Sequence, residues 1–148
     1  MRASSAEPPR DGVPVQVLFL CVHNAARSQM AEAFFNALAP AGMRAISAGT
    51  APAEQLDPVA VQAMAEVGID LSEHAPKLLT PELALASDRI ISMGCGVQES
   101  CPLYLGMKID EDWDLPDPAG QPIESVRPIR DSIRQHVVAL TAGLGAPG

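Results

Sequence analysis

The stretch that most constrains this chain is CVHNAARS, residues 21–28. It follows a short apolar run at 15–20 and precedes residues whose apolar side chains recur at helical spacing. This order predicts a strand, a tight loop and a helix. Such a loop turns its backbone N–H groups inward, and the helix adds the positive end of its dipole. The stretch therefore predicts a binding site for an oxyanion.

Two side chains of this loop have the chemistry of a nucleophile and of an anion-binding group. Cys21 stands at the start of the loop, where the same electrostatic field favours thiolate over thiol. Arg27 closes the loop, and its planar guanidinium can take two oxygens of a tetrahedral anion at once. Asn24 tolerates a left-handed backbone, and Ser28 can donate its hydroxyl to the sulfur and cap the helix. A buried thiol beside a surface arginine is the alternative, but loop length, residue types and strand–helix context together favour a catalytic site.

The string from Cys21 to Glu32, CVHNAARSQMAE, resembles the active-site loop of low-molecular-weight protein tyrosine phosphatases and of the arsenate reductases that share their fold. It is more similar to the reductases, and the resemblance extends to about Leu140. The resemblance implies a three-layer α/β fold, Rossmann-like, around a four-stranded parallel sheet. It also implies that the loop residues bind the oxyanion, namely Val22, His23, Asn24, Ala25, Ala26, Arg27 and Ser28.

The order of elements along the chain predicts an α/β fold as well. Strands are predicted at residues 15–20, 45–48, 89–93 and 108–113. Helices are predicted at 28–38, from Asp57-Pro58 to Gly68, from Thr80-Pro81, and at 124–140. This alternation predicts a parallel sheet with helices on both faces and with ligands at the carboxyl ends of its strands. We expect a flexible tail at 1–14, a single domain at 15–142 and a C-terminal tail at 143–148.

Composition narrows the class of protein. A chain of 148 residues suffices for one domain that buries about 70% of its unfolded surface. The net charge of −8 argues against nucleic-acid binding, and no apolar stretch approaches membrane-spanning length. Three cysteines do not make a structural disulfide framework. We therefore expect a cytoplasmic protein that keeps its thiols for chemistry, with no nucleic-acid or membrane partner.

The other two cysteines, Cys95 and Cys101, lie in a segment that opens with Gly94-Cys95-Gly96. Glycines permit backbone rearrangement at low steric cost, so this segment can bring thiols within disulfide distance. Two unrelated buried cysteines are the alternative, and a zinc site lacks a suitably spaced fourth ligand. The resemblance to thioredoxin-coupled arsenate reductases implies a relay in which Cys95 attacks Cys21 and Cys101 then attacks Cys95.

Asp117-Pro118 follows the last predicted strand and resembles the Asp-Pro loop of both families. A carboxylic acid over the anion site can protonate the leaving oxygen, so the resemblance implies Asp117 as the general acid. Asp-Pro is also a common turn pair, but its position late in the chain favours the catalytic interpretation. Tyrosine phosphatases of this fold usually present aromatics just after Asp-Pro, whereas Ala119-Gly120 follows here.

Several other residues receive structural roles. Asp57 and Pro58 are expected to cap and open a helix. His74 and His136 are expected on the surface. Pro128 must fall in the first turn of the last helix or bend it.

Two enzyme hypotheses share this site. The first is an arsenate reductase for arsenic detoxification, which uses the cysteine relay, binds no cofactor or metal, and takes electrons from thioredoxin. Mycothiol and glutaredoxin systems are the alternative donors. The second is a low-molecular-weight tyrosine phosphatase that needs only Cys21, Arg27 and Asp117. Aromatic residues are only 3% of the chain, so a rim for an aryl substrate is poorly supplied and the reductase is favoured.

The anion site also predicts side reactions and a non-enzymatic alternative. Weak phosphatase activity is expected even from a reductase, because the loop cannot easily distinguish phosphate from arsenate. Phosphate and sulfate are expected to compete with arsenate. A thiol sensor that binds arsenite or an oxyanion without turnover is the third hypothesis, and the combination of Cys21, Arg27 and Asp117 makes it the least favoured.

Overall fold

A four-stranded parallel sheet forms the centre of the molecule, as the order of elements predicts. The structure is a computed structural model, and it describes residues 15–93 and 109–145. Its strands are β1 (Val15–Cys21), β2 (Met43–Gly49), β3 (Arg89–Ser92) and β4 (Glu111–Asp112). Its helices are α1 (Arg27–Leu38), α2 (Pro58–Ala65), α3 (Pro81–Leu85) and α4 (Ile123–Gly145). The strand order is β2-β1-β3-β4, and all the pairings are parallel.

Strand β1 is buried on both faces because helices cover the sheet from both sides. Its odd-numbered side chains, such as Phe19, pack in one core with apolar residues of α1, α2 and α4. Its even-numbered side chains, such as Leu18 and Leu20, pack against Leu83 of α3 in a second core. This is the three-layer arrangement that the resemblance implies. It places Cys21, the last residue of β1, at the carboxyl edge of the sheet.

The helix that leads away from the candidate site is capped as predicted. Asp57 is the N-cap of α2, and its Oδ1 accepts a hydrogen bond from the Val59 N–H at 3.0 Å. Pro58 occupies the first turn, where its missing N–H costs nothing. Gly68 has a φ of +83°, the left-handed conformation that ends helices.

Two predicted elements have different bounds in the structure. Helix α4 continues past the predicted end to Gly145, because Leu144 packs against the first core. Pro128 lies inside α4 and beyond its first turn. The predicted strand at 108–113 is reduced to Glu111–Asp112, a short edge strand of the kind that discourages pairing with other chains.

Four of the predictions fall wholly or partly outside the described residues. They concern the tail at 1–14, the beginning of the fourth strand at Lys108, the segment that carries Cys95 and Cys101, and residues 146–148 of the C-terminal tail. The first part of that predicted tail, 143–145, is instead the end of α4. Within residues 15–93 and 109–145, no helix has both the length and the apolar character needed to cross a membrane.

Candidate active site

The loop between β1 and α1 is held with its carbonyl groups pointing away from the cleft. The segment after β2 donates to three of them: Ala51 N to Val22 O at 2.8 Å, Ala53 N to His23 O at 2.9 Å, and Asp57 N to Ala25 O at 3.0 Å. A trans peptide places its N–H opposite its carbonyl. The N–H groups that follow these carbonyls therefore point to the cleft side, as an oxyanion site requires.

Cys21 lies at the floor of this loop with two donors on its sulfur. Cys21 is 3% exposed, and its Sγ lies 2.9 Å from Ser28 Oγ. The backbone N–H of Asn24 donates to the same sulfur at 3.1 Å. Donors aimed at sulfur stabilise the thiolate, which is the nucleophilic form. The structure thus supports the nucleophile predicted for Cys21.

Asn24 organises the loop from inside. Its φ of +51° makes it the one non-glycine residue with positive φ among those described, and it is fully buried. Its Oδ1 accepts hydrogen bonds from Gln29 Nε2 at 3.0 Å and from the Lys77 N–H at 2.8 Å. Its Nδ2 therefore faces Ser28 Oγ and donates to it at 2.7 Å. Since Ser28 accepts from Asn24, its own proton is free to point at the sulfur of Cys21.

Ser28 does not cap α1, so that part of the sequence prediction is wrong. The N-cap residue is Ala26, which has no side-chain cap, and the helix begins at Arg27. The Ser28 hydroxyl is already engaged by Asn24 and Cys21 inside the loop. The N-terminal N–H groups of α1 are therefore left without a side-chain cap, which suits a helix end that faces an anion.

A second layer of polar side chains supports Asn24, and sequence reasoning missed it. Gln29 is fully buried, and its Nε2 also donates to the Ala75 carbonyl at 3.0 Å. Its Oε1 then accepts from His74 Nδ1 at 3.1 Å, which fixes the tautomer with a proton on that nitrogen. His74, predicted on the surface, is only partly exposed at 26%, and its contact with Gln29 makes it part of this support.

An ion-pair cluster anchors the same support to the sheet. Glu32 is 13% exposed, and its Oε1 accepts from Ser47 Oγ at 2.5 Å and lies 3.6 Å from Lys77 Nζ. Its Oε2 lies 3.8 Å from His74 Nδ1. The cluster ties α1, β2 and the loop at 74–77 together directly behind the active-site loop. The signal in the sequence is Glu32 itself, a charged residue at the end of the CVHNAARSQMAE string.

Gly49, the last residue of β2, lets the active-site loop pack closely because it has no side chain. A Cβ atom placed on Gly49 would lie 2.5 Å from Val22 O and 3.0 Å from Asn24 Cβ. Real Cβ atoms do not approach a backbone oxygen so closely. The active-site loop can pack against β2 only because residue 49 is glycine.

The structure brings Arg27 and Asp117 into the same cleft as Cys21, as predicted. The lining residues of this cleft are Cys21, His23, Ala25, Ala26, Arg27, Asp57, Asp117 and Ala119. The Arg27 guanidinium donates to the Leu115 carbonyl at 2.8 Å, two residues before Asp117. Asp117 is exposed, and its Oδ1 accepts from the Ala119 N–H at 3.0 Å. The three side chains can therefore act on one small anion.

Two of the predicted site residues cannot be placed in this cleft, because Cys95 and Cys101 lie outside the described residues. The other histidine expected on the surface, His136, is exposed, and its ring packs on Trp113 with centroids 4.9 Å apart. Among the described residues, no group of three or more His, Cys, Asp or Glu side chains is arranged to hold a metal ion.

The fold and the loop together define a class of protein. The sequence pattern of the family described as low molecular weight phosphotyrosine protein phosphatase matches residues 16–147, so the chain belongs to this family. The family resemblance carried by residues 21–32 is thereby confirmed.

Within this family, the similar proteins include both reductases and phosphatases. The chain is 38% identical over 128 residues to the glutaredoxin arsenate reductase of Synechocystis sp., and the match covers 86% of this chain and 96% of that protein. The thioredoxin-dependent arsenate reductase of Corynebacterium glutamicum is 35% identical with a TM-score of 0.73, and the match covers 95% of this chain and 66% of that one. An arginine phosphatase from Geobacillus stearothermophilus is 26% identical with a TM-score of 0.78, over 89% of this chain and 94% of that one.

Proposed function

We propose that the protein is an arsenate reductase that converts arsenate to arsenite. The observation that carries the proposal is the contact set around Cys21, in which Ser28 and the Asn24 N–H both point to the sulfur beside Arg27 and Asp117. The names of the relatives at 35–38% identity support the same activity. The absence of aromatic residues after Asp117-Pro118 argues against a site built for aryl phosphates.

In the first step, the loop binds arsenate and Cys21 attacks it. The loop N–H groups and the Arg27 guanidinium balance the charge of the anion. The thiolate of Cys21 forms a bond to arsenic, and an As–O bond breaks. Asp117 gives its proton to the departing oxygen, which leaves as water. The product is a Cys21–arsenate adduct in which arsenic is still pentavalent.

In the second step, a thiol supplies the electrons. The Cys95 thiolate attacks the sulfur of Cys21, the S–As bond breaks, and its electron pair leaves with arsenic as arsenite. A Cys21–Cys95 disulfide remains, so the oxidation of two thiols balances the two-electron reduction of arsenic. Cys101 then attacks Cys95, frees Cys21 and leaves a Cys95–Cys101 disulfide. We assign both roles from the resemblance of this segment to the reductases.

An external thiol closes the cycle. The relatives include one described as thioredoxin-dependent and one described as a glutaredoxin arsenate reductase, and both names imply a thiol donor. We propose thioredoxin for this chain, because a Cys95–Cys101 disulfide moved away from the cleft is a substrate that a dithiol protein can reach. Because this chemistry needs reduced thiols, we propose that the protein acts in the cytoplasm.

The experiment is a coupled assay with thioredoxin, thioredoxin reductase and NADPH, with and without arsenate. We expect arsenate-dependent NADPH oxidation that is lost in Cys21→Ser, Cys95→Ser and Cys101→Ser. The phosphatase alternative is measured in the same preparations with an aryl phosphate. Rapid hydrolysis that survives Cys95→Ser, without arsenate-dependent oxidation of NADPH, would contradict the reductase and support the phosphatase.

A further inference from the structure

One polar atom beside the candidate active site has no hydrogen-bond partner. Asp57 caps α2 through Oδ1, but its Oδ2 is buried and unpaired, with under 1 Å² of exposed surface. It is the one such side-chain atom among the described residues. Pro58 occupies the next position and has no N–H to give it. A buried acceptor without a donor lowers the stability of a fold, and native structures contain few of them.

Asp57 belongs to the wall of the cleft and is fixed there. It lines the same cleft as Cys21, Arg27 and Asp117. Its own N–H donates to the Ala25 carbonyl at 3.0 Å, which ties it to the active-site loop. The carboxylate therefore keeps its place relative to any anion bound in the loop.

Helix capping does not require a carboxylate at this position. Asparagine and serine cap helices about as well as aspartate, and neither would add a negative charge to the cleft. A second negative charge in the wall of an anion site opposes anion binding by Coulomb repulsion. Asp117, the other carboxylate of the cleft, avoids this penalty when it carries the proton that it donates. A ligand that carries its own proton removes this penalty at Asp57, because its hydroxyl can donate to the carboxylate.

We propose that Asp57 Oδ2 accepts a hydrogen bond from the hydroxyl group of a singly protonated oxyanion, arsenate or phosphate, and makes the site select against sulfate. The proposal deepens the proposed function, on which its physiological meaning rests. At mildly alkaline pH, hydrogen arsenate, hydrogen phosphate and sulfate are all tetrahedral dianions. The first two carry a hydroxyl group and sulfate does not. A site built around a buried acceptor discriminates strongly against a ligand that lacks the matching donor.

The burial of Oδ2 and its lack of a donor in the free protein fit this role. Arg27 lines the same cleft, where its guanidinium donates to the Leu115 carbonyl. On this proposal, an anion that enters the cleft brings its hydroxyl to Oδ2 and supplies the donor that this oxygen lacks. Asp117 is exposed to water and needs no such donor. The selection between the dianions therefore depends on Asp57.

The test measures binding of inorganic phosphate and of sulfate to the reduced full-length protein by isothermal titration calorimetry at mildly alkaline pH. The proteins are the wild type, Asp57→Asn, Asp57→Ser and the control Glu54→Gln, which removes an exposed charge from the neighbouring loop. We expect the wild type and the control to prefer phosphate. Both Asp57 variants should lower the ratio of phosphate to sulfate affinity by about tenfold or more.

Two results would overturn the proposal. One is a wild type that binds the two anions equally well. The other is a pair of Asp57 variants in which both affinities change by the same factor, which would mean that Asp57 acts only through its charge or pairs with Arg27 or His23. Asparagine and serine retain the cap, so thermal unfolding should show both variants folded. Because this binding needs no turnover, the result stands apart from the arsenite assay, which tests the reductase itself.

Discussion

Arg27 donates a hydrogen bond from its guanidinium to the carbonyl oxygen of Leu115 at 2.8 Å. The two residues are far apart in the sequence, yet this contact joins the residue that we propose to bind the anion to the loop that carries Asp117, the proposed acid. Leu115 is buried, so its carbonyl is a fixed anchor. We therefore expect anion binding by Arg27 to be coupled to the position of Asp117.

Replacing Arg27 with lysine should lower the activity far more than the retained positive charge suggests. Lysine has one compact ammonium group and cannot hold two anion oxygens and the Leu115 carbonyl together. We expect kcat/KM for arsenate to fall by about a hundredfold or more with little change in Tm. The control is Arg44→Lys on β2, whose guanidinium contacts Gln16 outside the cleft. Equal losses in the two variants would argue against a specific role of Arg27.

Asn24 should be needed for both the fold and the reactivity of the loop. Asn24→Ala places an alanine at a φ of +51° and removes the side-chain hydrogen bonds that Asn24 makes with Ser28 and with the Lys77 N–H. We expect a loss of about 2–4 kcal/mol in the free energy of unfolding, measured with urea. The rate of Cys21 alkylation by iodoacetamide at neutral pH should fall as well.

Asn24→Gly separates the two contributions. Glycine accepts the left-handed backbone, so part of the stability should return while the slow alkylation of Cys21 remains. If the alkylation rate in Asn24→Gly returned to that of the wild type, the side-chain hydrogen bonds of Asn24 would not control the reactivity of Cys21.

Gly49→Ala should displace the active-site loop from β2. The added Cβ would meet the Val22 carbonyl at 2.5 Å, and that oxygen belongs to the backbone. We expect a loss of about 1–3 kcal/mol in stability together with weakened phosphate binding. The matched control is Gly143→Ala in α4, where a Cβ meets nothing within 4 Å and stability should rise by up to about 1 kcal/mol. Unchanged phosphate binding in Gly49→Ala would contradict this close packing.

The residues that sequence analysis identified at the site obey local rules. Cys21, Asn24 and Arg27 occupy a strand–loop–helix unit whose spacing fixes their positions, and Asp57-Pro58 is a local cap signal. These predictions needed no knowledge of distant contacts. Ser28 was assigned a helix cap by the same local rule, and that failed because Asn24 and Cys21 engage its hydroxyl inside the loop.

The supporting residues could not be predicted because their partners lie far away in the sequence. Gln29 contacts His74 and the Ala75 carbonyl, and Glu32 contacts Lys77, only after β2 has paired with β1. No local pattern distinguishes His74 from an ordinary loop histidine. The unpaired oxygen of Asp57 is likewise visible only once the cleft has formed.

A surface cluster away from the cleft predicts a pH-dependent contribution to stability. The hydrogen bond from Arg127, with help from Arg130, lowers the pKa of Glu66 from its usual 4.5 to about 2. The folded state thus favours the charged form of Glu66 more strongly than the unfolded state does. The stability that this carboxylate adds to the folded state is fully present above pH 4.5 and is lost as the pH falls towards about 2.

Glu66→Gln should therefore lower Tm at neutral pH, and the difference from the wild type should shrink as the pH falls through this range. The control is Glu73→Gln, which removes an exposed carboxylate from the loop between α2 and α3, and it should change Tm little at any pH. A difference for Glu66→Gln that stays constant down to pH about 2 would contradict the assignment of the shift to these arginines.

The most direct measurement of the central claim is a single turnover without any external reductant. Fully reduced protein is mixed with a small excess of arsenate, arsenite is quantified, and the disulfide is mapped by mass spectrometry after alkylation. The relay predicts one equivalent of arsenite per protein and a disulfide between Cys95 and Cys101, with Cys21 alkylated. The Cys101→Ser variant should also release arsenite but stop with Cys21 joined to Cys95. No arsenite and three alkylated thiols in the wild type would contradict the account.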